Sequence, residues 1–417
     1  MRHVTVRYLL VLSAYWFGLT FLWTGLSIII LPAHLLNFVP DSQKNSYLGT
    51  LTFVGLLIAL IVQPISGALS DGWTSRWGRR RPLIAIGTVA DFLFLVLLGW
   101  AGGLGMLFAG YLGLQISSNV AHGSLQGLLP DRVPMSQRGL ASGLQNVVVL
   151  LGLMTGALVI GRLFTSDETP PVAAILVLML VLAVSALITI AGAHEEASSP
   201  RHAPTRSRAD VWRETFHIDW RAHRGYWWLL GSRFFYLFAI EGIQAFAQYY
   251  VRDRMNVPNP AQVTGDLTAA IAVAVMAFAL IAGWLCDRWG RRQTQIVAGV
   301  VGVVGAPLLL AARTPTELIL YGIVLGTSVG MFVTANWALA TELAPAEEAG
   351  KFLGLTNLAT AGAGALSRLE GPLIDHFNNA LPGEWLGYTL LACLSTVSIL
   401  LSATLLIKVP GRRVQVA

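Results

Sequence analysis

Charged residues are scarce in this chain. Asp, Glu, Lys and Arg make up 12% of its 417 residues, whereas a soluble domain carries roughly 25%. Hydrophobic residues make up 55%. Because so little charge cannot cover the surface of a water-soluble protein of this size, we expect a membrane to be the solvent.

Cysteines and catalytic motifs are scarce as well. The two cysteines, Cys286 and Cys393, both lie in apolar stretches, which excludes a disulfide framework. The chain has no HExxH metal motif, no phosphate loop and no soluble domain. We therefore expect no enzyme, no cofactor and no metal site. The net charge of +6 does not indicate a nucleic-acid partner, because membrane proteins collect Lys and Arg in cytoplasmic loops.

Long apolar runs are what the sequence does contain. About 20 apolar residues cross a hydrocarbon core as a helix, and such runs lie near 8–32, 45–70, 82–100, 104–129, 139–163, 171–193, 225–250, 264–286, 293–312, 316–341, 350–374 and 385–407. The basic start before the first run resembles a signal peptide, but the run is too long and has no clear small-residue cleavage site. The sequence predicts an all-α membrane protein with twelve transmembrane helices.

The distribution of Lys and Arg predicts the orientation. With the N-terminus inside, 21 of the 28 Lys and Arg residues fall on the cytoplasmic side. The outer side holds five, namely Lys44, Arg162, Arg252, Arg254 and Arg313. This bias predicts a multi-pass plasma-membrane protein with both termini in the cytoplasm.

One long polar stretch, 194–224, divides the chain. Its composition predicts a flexible cytoplasmic linker between an N-terminal bundle, 1–193, and a C-terminal bundle, 225–417. Trp212, Phe216 and Trp220 follow one another at helical spacing, which suits a short helix lying on the inner membrane surface. A disordered linker throughout is the alternative.

The two predicted bundles repeat each other in sequence. GALSDGWTSRWGRR (67–80) returns as GWLCDRWGRR (283–292), and LLPDRVPMSQRG (128–139) returns as LATELAPAEEAG (339–350). Asp131 corresponds to Glu342 and Asn146 to Asn357, with the same displacement of 211 residues. Two six-helix bundles in parallel repeat are a transporter architecture.

The segment QPISGALSDGWTSRWGRRRPLI (63–84) resembles the loop between helices two and three of the major facilitator superfamily. More narrowly, it resembles the glycoside–pentoside–hexuronide:cation symporters and the sucrose:proton symporters, although Gly72 stands where they usually have Arg. The resemblance implies alternating-access transport of a small hydroxylated solute, such as a sugar or glycoside. It also implies coupling to a proton or another cation, and we expect a monomer surrounded by lipid.

The same loop supplies the predicted gating residues. Asp71 ends helix two, and the resemblance implies that it approaches the N-terminus of helix eleven and latches the outward-facing state. Gly78 permits a tight turn, and the arginines can hold lipid headgroups or loop carboxylates. The alternative is that they only enforce topology. The predicted gating set is Asp71, Arg76, Gly78, Arg79, Arg80, Asp131, Arg138, Asp287, Arg288, Gly290, Arg291, Arg292 and Glu342.

The resemblance implies that helices one, four, seven and ten line a central cavity. Gln115, Asn119, His122 and Gln126 share one face of helix four, within about 60° at 100° per residue. Amide groups suit sugar hydroxyls, and an aromatic ring can stack on a pyranose; His122 either titrates or packs. The predicted cavity set is Trp23, Thr24, Gln115, Asn119, His122, Gln126, Glu241, Gln244, Asn336 and Trp337.

Charged residues inside the spans are the candidates for ion coupling, because a charge at the bilayer centre costs roughly 2.5–3.5 kcal/mol. Glu241 is the leading candidate for a proton carrier, and Arg233 could hold an anionic group or a carboxylate across the cavity. Structural pairing inside the bundle is the alternative. Asp91 is the second candidate, and Arg368 with Glu370 could gate the outer end.

Three readings of the function remain open. The sucrose symporters have an acid in helix four where this chain has Gln115, so the coupling acid has either moved to Glu241 or been lost, which would make a facilitator. The second reading is an exporter of amphipathic compounds. The third is a non-transporting membrane assembly partner.

Overall fold

The computed structural model describes residues 3–164, 171–193, 223–345 and 348–410. These residues form helices joined by turns, and they include no strand. The predicted linker, with Trp212, Phe216 and Trp220, lies outside the described residues except for residues 223 and 224.

Twelve helical spans follow one another, as the apolar runs predict. They are α1 Val6–Leu35, α2 Lys44–Gly72, α3 Arg81–Gly99, α4 Leu104–Gln126, α5 Arg138–Leu163, α6 Val172–Gly192, α7 Arg224–Met255, α8 Pro260–Trp289, α9 Arg291–Ala311, α10 Pro315–Leu343, α11 in two segments, Ala349–Ser367 and Glu370–Ala380, and α12 Leu386–Leu406. Within α1, Gly25–Ile30 is a π-helical turn. A short helix, Leu128–Arg132, follows α4.

Nine of these helices are long and apolar enough to cross a membrane, counting only the described residues. The three that fall short are α4, α7 and α11. Polar residues and glycines account for this: α4 carries the polar stripe described above, α7 carries Arg233, Glu241, Gln244 and Gln248, and α11 contains the Gly-rich stretch 359–366. A helix of this kind is stable in a membrane when its polar face is buried against other helices.

The packing of the helices follows the internal repeat. In the first half, α1 packs on α5 and α6, and α4 packs on α2 and α3. In the second half, α7 packs on α11 and α12, and α10 packs on α8 and α9. Each contact in one half therefore has its counterpart six helices later, which is the two-bundle fold that the repeated sequence predicts.

The two halves touch each other at one end of the bundle. A Cβ on Gly265 of α8 would overlap the carbonyl oxygen of Ala157 on α5, and a Cβ on Gly371 would overlap that of Asn45 on α2. We call this the closed end; it carries the α1–α2 and α7–α8 connections. Here only glycine lets the backbones approach so closely.

The halves part at the other end, which carries the α2–α3 and α8–α9 connections and which we call the open end. A Cβ on Gly143 of α5, Gly283 of α8 or Gly354 of α11 would meet no atom within 4 Å among the described residues. The α5–α8 pair is thus tight at the closed end and separated at the open end.

Candidate functional site

A cavity of about 390 Å³ lies between the halves. It is lined by five helices, α1, α2, α4, α7 and α11. The polar lining residues are Thr20, Trp23, Thr24, Ser27, Thr52, Gln63, Tyr111, Gln115, Asn119, His122, Gln244 and Arg368. Of the ten residues predicted for a cavity, six lie here: Trp23, Thr24, Gln115, Asn119, His122 and Gln244.

The wall formed by α4 is a chain of hydrogen bonds. Gln115 donates from Nε2 to the hydroxyl of Tyr111 at 2.9 Å, and Asn119 donates from Nδ2 to Oε1 of Gln115 at 3.2 Å. From the adjacent α1, Trp23 donates from Nε1 to Oγ of Ser118 at 3.0 Å. Its ring meets the ring of Tyr111 edge-on at 6.2 Å. The amides and the indole are therefore held in fixed orientations.

The other two members of the α4 stripe diverge. Nδ1 of His122 is 3.4 Å from Nε2 of Gln63. The His122 ring packs edge-on against the Trp16 ring, with 4.9 Å between the ring centroids. Its Nε2 is buried without a hydrogen-bond partner among the described residues. Gln126 lies farther towards the open end, where it is exposed and does not line the cavity.

Glu241 of α7 and Arg368 of α11 form an ion pair at the cavity. Nη2 of Arg368 lies 3.0 Å from Oε2 of Glu241, and Nη1 donates to the Glu241 carbonyl oxygen at 2.8 Å. Arg368 lines the cavity and Glu241 lies behind it. The sequence placed Arg368 with Glu370 as an outer gate, but the guanidinium pairs with Glu241 instead, because α11 breaks at this point and turns the side chain towards α7.

Arg233 of α7 points away from Glu241. It donates to Oδ1 of Asn336 at 2.6 Å and to Oγ1 of Thr360 at 2.8 Å, and its guanidinium lies 6.0 Å from the ring of Trp337. These partners all belong to α10 and α11. Asn336 is buried, Trp337 is exposed towards the open end, and neither lines the 390 Å³ cavity.

Asp91 lies inside the first half. The fully buried carboxylate accepts a hydrogen bond from Ser117 of α4, and its Oδ2 has no partner among the described residues. The residues 211 positions later are Gly302 and Ser328. The second half thus keeps the serine, which contacts Tyr236 at 2.6 Å, and has no acid. The fold itself does not require a carboxylate at this position.

At the open end, the predicted gating residues form two equivalent ion pairs. Arg80 pairs with Asp131 at 3.0 Å in the first half, and Arg291 pairs with Glu342 at 2.8 Å in the second. Both members of the pair are displaced by 211 residues. Each pair ties the loop after one helix to the end of the helix two spans later.

The remaining members of the predicted gating set surround these pairs. Asp71 pairs with Arg80 at 2.5 Å rather than with α11, so its role as a latch of the outward-facing state stays a prediction. Arg79 also pairs with Asp131, and Gly78 and Gly290 adopt positive φ angles of 91° and 96°.

Three further arginines of the set have contacts at the open end: Arg138 donates to the Pro130 carbonyl oxygen, Arg292 donates to the Ile407 carbonyl oxygen, and Arg288 lies over the Trp284 ring. Arg76 and Asp287 are exposed.

The sequence reasoning missed the contacts that join the halves at the closed end. Lys44 pairs with Asp253 at 2.8 Å, and Arg252 pairs with Asp41 at 2.6 Å. Asp375 of α11 accepts hydrogen bonds from the backbone and side chains of Asn45 and Ser46 at the start of α2. A signal was present, since Lys44 and Arg252 are two of the five basic residues on this side and the acids could have been matched to them.

Comparison with known proteins gives the family. Residues 9–367 match the sequence profile of the Major Facilitator Superfamily. The multi-drug resistance efflux pump PmrA of Streptococcus pneumoniae serotype 4 is 24% identical over 342 residues, 79% of this chain and 80% of that protein. The sucrose transport protein SUC4 of Arabidopsis thaliana is 24% identical over 221 residues, 45% of this chain and 43% of that protein.

Solved structures show the same fold. A D-xylose-proton symporter superposes with a TM-score of 0.69 at 17% identity, over 95% of this chain and 97% of that one. The nucleoside transporter NupG superposes with a TM-score of 0.68 at 13% identity, over 97% of this chain and all of that one. Its sequence, its twelve-helix fold and its central cavity place this chain in the Major Facilitator Superfamily, as a multi-pass membrane transporter and not an enzyme.

Proposed function

We propose that this transporter moves a small hydroxylated solute, a sugar or a glycoside, by alternating access coupled to protons. The observation that carries the proposal is the wall of hydrogen-bonded amides facing an indole in one cavity. Its volume of about 390 Å³ lies within the roughly 300–1,000 Å³ of small-molecule sites.

The chemistry of the wall suits hydroxyl groups. The amides of Gln115 and Asn119 each offer donors and an acceptor, and Trp23 offers an apolar face fixed by its bond to Ser118. A site built to hydrogen-bond hydroxyl groups rejects solutes that lack them, because its buried polar groups are then left unpaired. The resemblance of residues 63–84 to the sucrose:proton symporters points to the same class of solute.

We propose that the open end faces the cytoplasm of a plasma-membrane protein, since the bias of Lys and Arg favours that side. The conformation is then inward-open. Transport requires the two bundles to rock about the cavity, opening the closed end and closing the open end.

We propose that Glu241 couples transport to protons. It holds Arg368 at the cavity wall, so its protonation frees the guanidinium to bind a solute oxygen or to move. One charge carried across 100 mV supplies about 2.3 kcal/mol, enough for roughly fifty-fold accumulation.

Export of amphipathic compounds is the second candidate. PmrA matches 79% of this chain, against 45% for SUC4. Ile28, Leu48 and Leu56 give the cavity an apolar side as well. A non-transporting assembly partner would not need the polar wall.

The test is uptake of radiolabelled disaccharides by proteoliposomes, with and without an inward proton gradient. We compare the wild type, Glu241→Gln, and the control Glu317→Gln, which removes an acid that caps the start of α10 by bonding the Arg313 backbone. The proposal expects gradient-driven uptake in the wild type and the control, and its loss in Glu241→Gln with exchange retained. Uptake indifferent to the gradient and to the mutation indicates a facilitator, and no disaccharide flux favours the exporter.

A further inference from the structure

A second carboxyl group, that of Glu370, lies beside the Glu241–Arg368 pair. Glu370 begins the second segment of α11, with 4% of its surface exposed. Both of its carboxylate oxygens are buried and have no hydrogen-bond partner among the described residues. Its Oε2 lies so close to α7 that a Cβ on Gly242 would overlap it. An isolated buried carboxylate is very costly, and such a group takes up a proton instead.

Arg368 is near both this carboxyl group and Glu241. It precedes Glu370 by two residues, and its guanidinium bonds Glu241, while its buried Nε has no hydrogen-bond partner among the described residues. One arginine thus serves two carboxyl groups and pairs with only one of them. The trio of Glu241, Arg368 and Glu370 is electrically neutral when it holds one proton.

Several other charged groups at the closed end have partners of their own. On α7, Asp253 accepts from Lys44 of α2 at 2.8 Å and from the hydroxyl of Tyr388 on α12 at 2.6 Å. On the segment of Glu370 itself, Asp375 accepts from Asn45 and Ser46 of α2. Arg252 and Asp41 pair with each other. Lys44 and Arg252 are thus paired with other acids, whereas Arg368 precedes Glu370 by two residues in the chain.

We propose that Glu370 is a proton-binding site whose protonation closes this end of the transporter. It holds the proton while α7 and α2 exclude water. When the closed end is open, water reaches the carboxyl group and exchanges a proton with it. Uptake of a proton from that water forms the O–H bond and lets the end close, and loss of the proton to that water breaks the bond.

The same trio provides a route for the proton to the cavity. When Arg368 moves from Glu241 to Glu370, the proton passes from Glu370 to Glu241, and the total charge is unchanged. Glu241 then lies at the cavity with the proton and without its arginine. This relay rests on the proton coupling proposed above and adds the site that receives the proton from the closed end.

The sign of the pH dependence follows from the charge of the trio. At low pH the trio holds one proton and the closed end stays closed. At high pH the trio loses that proton, carries one negative charge, and is stabilised by opening to water. One titrating group changes the ratio of two conformations by at most about tenfold for each pH unit.

The test needs no solute. Spin labels are attached to Met135→Cys and Thr341→Cys in a protein that lacks Cys286 and Cys393. Double electron–electron resonance in lipid nanodiscs measures the distance between the two labels, which reports the width of the open end. In the parent protein we expect this distance to shorten as the pH rises from 5 to 9, by a change in the ratio of states of up to about tenfold per unit. In Glu370→Gln we expect the long distance at every pH, and the ratio of the two states should change by less than about twofold between pH 5 and pH 9.

The control is Glu384→Gln, which removes an exposed acid in the loop that follows α11. It should keep the pH dependence of the parent. Glu370→Met, of similar length and also neutral, repeats the test if the Gln variant does not fold. A pH-dependent distance that survives in the Glu370 variants overturns the proposal, and so does a parent protein whose distance does not change with pH. Failure of disaccharide uptake bears on the proposed solute only and leaves this result unaffected.

Discussion

Two arginines at the open end form equivalent ion pairs but differ in burial. Arg80 and Arg291 occupy matching places in the two halves and bond matching acids, Asp131 and Glu342. The Arg80 side chain is 6% exposed and also bonds Asp71 and Ser70, whereas the Arg291 side chain is 38% exposed. Burial and the number of partners, rather than position in the repeat, decide how much each arginine stabilises.

We therefore expect Arg80→Ala to lower the free energy of unfolding by about 2–3 kcal/mol, since charged hydrogen bonds are lost in a water-poor site. Arg291→Ala should cost less than about 1 kcal/mol, because water screens its pair. Thermal unfolding of both variants in the same detergent measures the difference. Equal losses would mean that the burial of Arg80 does not matter.

Periodicity placed four side chains of α4 on one face, of which all but Gln126 line the cavity, but it did not predict the partner of each charge. Gln115, Asn119 and His122 stand at positions i, i+4 and i+7, which share one face of an α-helix, so the sequence alone places them together. Glu241 and Arg368 are 127 residues apart, and their contact depends on where α11 breaks. Thr52 and Gln63 of α2 line the cavity as well. The prediction missed them because the resemblance assigned the lining to helices one, four, seven and ten.

Helices α5 and α8 are close together at the closed end and apart at the open end. At Gly265 the backbones touch, whereas at Gly283 of the same helix there is open space. The two halves can rotate against each other at this helix pair only if the close contact at the closed end can separate and form again.

Gly265→Leu should hold the closed end apart, because the side chain would meet the Ala157 carbonyl oxygen. We expect transport to fall at least about tenfold, since the ratio of the two conformations is shifted by more than about 1.4 kcal/mol. The control is Gly105→Leu, at the exposed start of α4, where a Cβ would meet no atom within 4 Å among the described residues; this variant should transport normally. The measurement is initial uptake by proteoliposomes with matched protein content; normal transport by both variants would contradict the tight contact.

The helix count and the repeat were accessible from the sequence, whereas the breaks in the helices were not. Apolar runs of fixed length and the matching motifs gave twelve spans and two bundles. The π-helical turn at Gly25–Ile30 and the interruption of α11 between Ser367 and Glu370 do not change hydropathy. They are set by how neighbouring helices pack.

On the scale of the whole molecule, the closed end is fastened by contacts between the halves that must all break in each cycle. The Lys44–Asp253 ion pair joins α2 to α7, and the Asp375–Ser46 hydrogen bond joins α11 to α2. The Arg252–Asp41 ion pair joins α7 to the connection between α1 and α2. The Arg252–Asp41 pair is exposed and individually weak. Lys44 and Asp253 are only 3% and 4% exposed, so separating this buried pair contributes most to the barrier to opening.

A covalent link across this end should stop transport reversibly. Asn379 donates to the Ser42 carbonyl oxygen at 2.8 Å across the halves, so Ser42→Cys with Asn379→Cys, in a protein lacking the native cysteines, can be joined by mild oxidation. We expect oxidised protein to lose transport and reductant to restore it. The control pair, Val4→Cys with Gln137→Cys, joins residues of one half that bond at 2.8 Å and should leave transport unchanged. Transport by the oxidised Ser42–Asn379 pair would show that the closed end need not open.

The polarity of α4, α7 and α11 also bears on how the chain is made. A span of this kind partitions poorly into lipid when it leaves the ribosome and the translocon alone. Glu241 emerges 127 residues before Arg368, which at about 5–20 residues per second leaves the acid without its partner for roughly 6–25 s. During that time α7 must stay in a protected, hydrated place beside the translocon, so the last helices to be synthesised complete the insertion of the first helix of the second half.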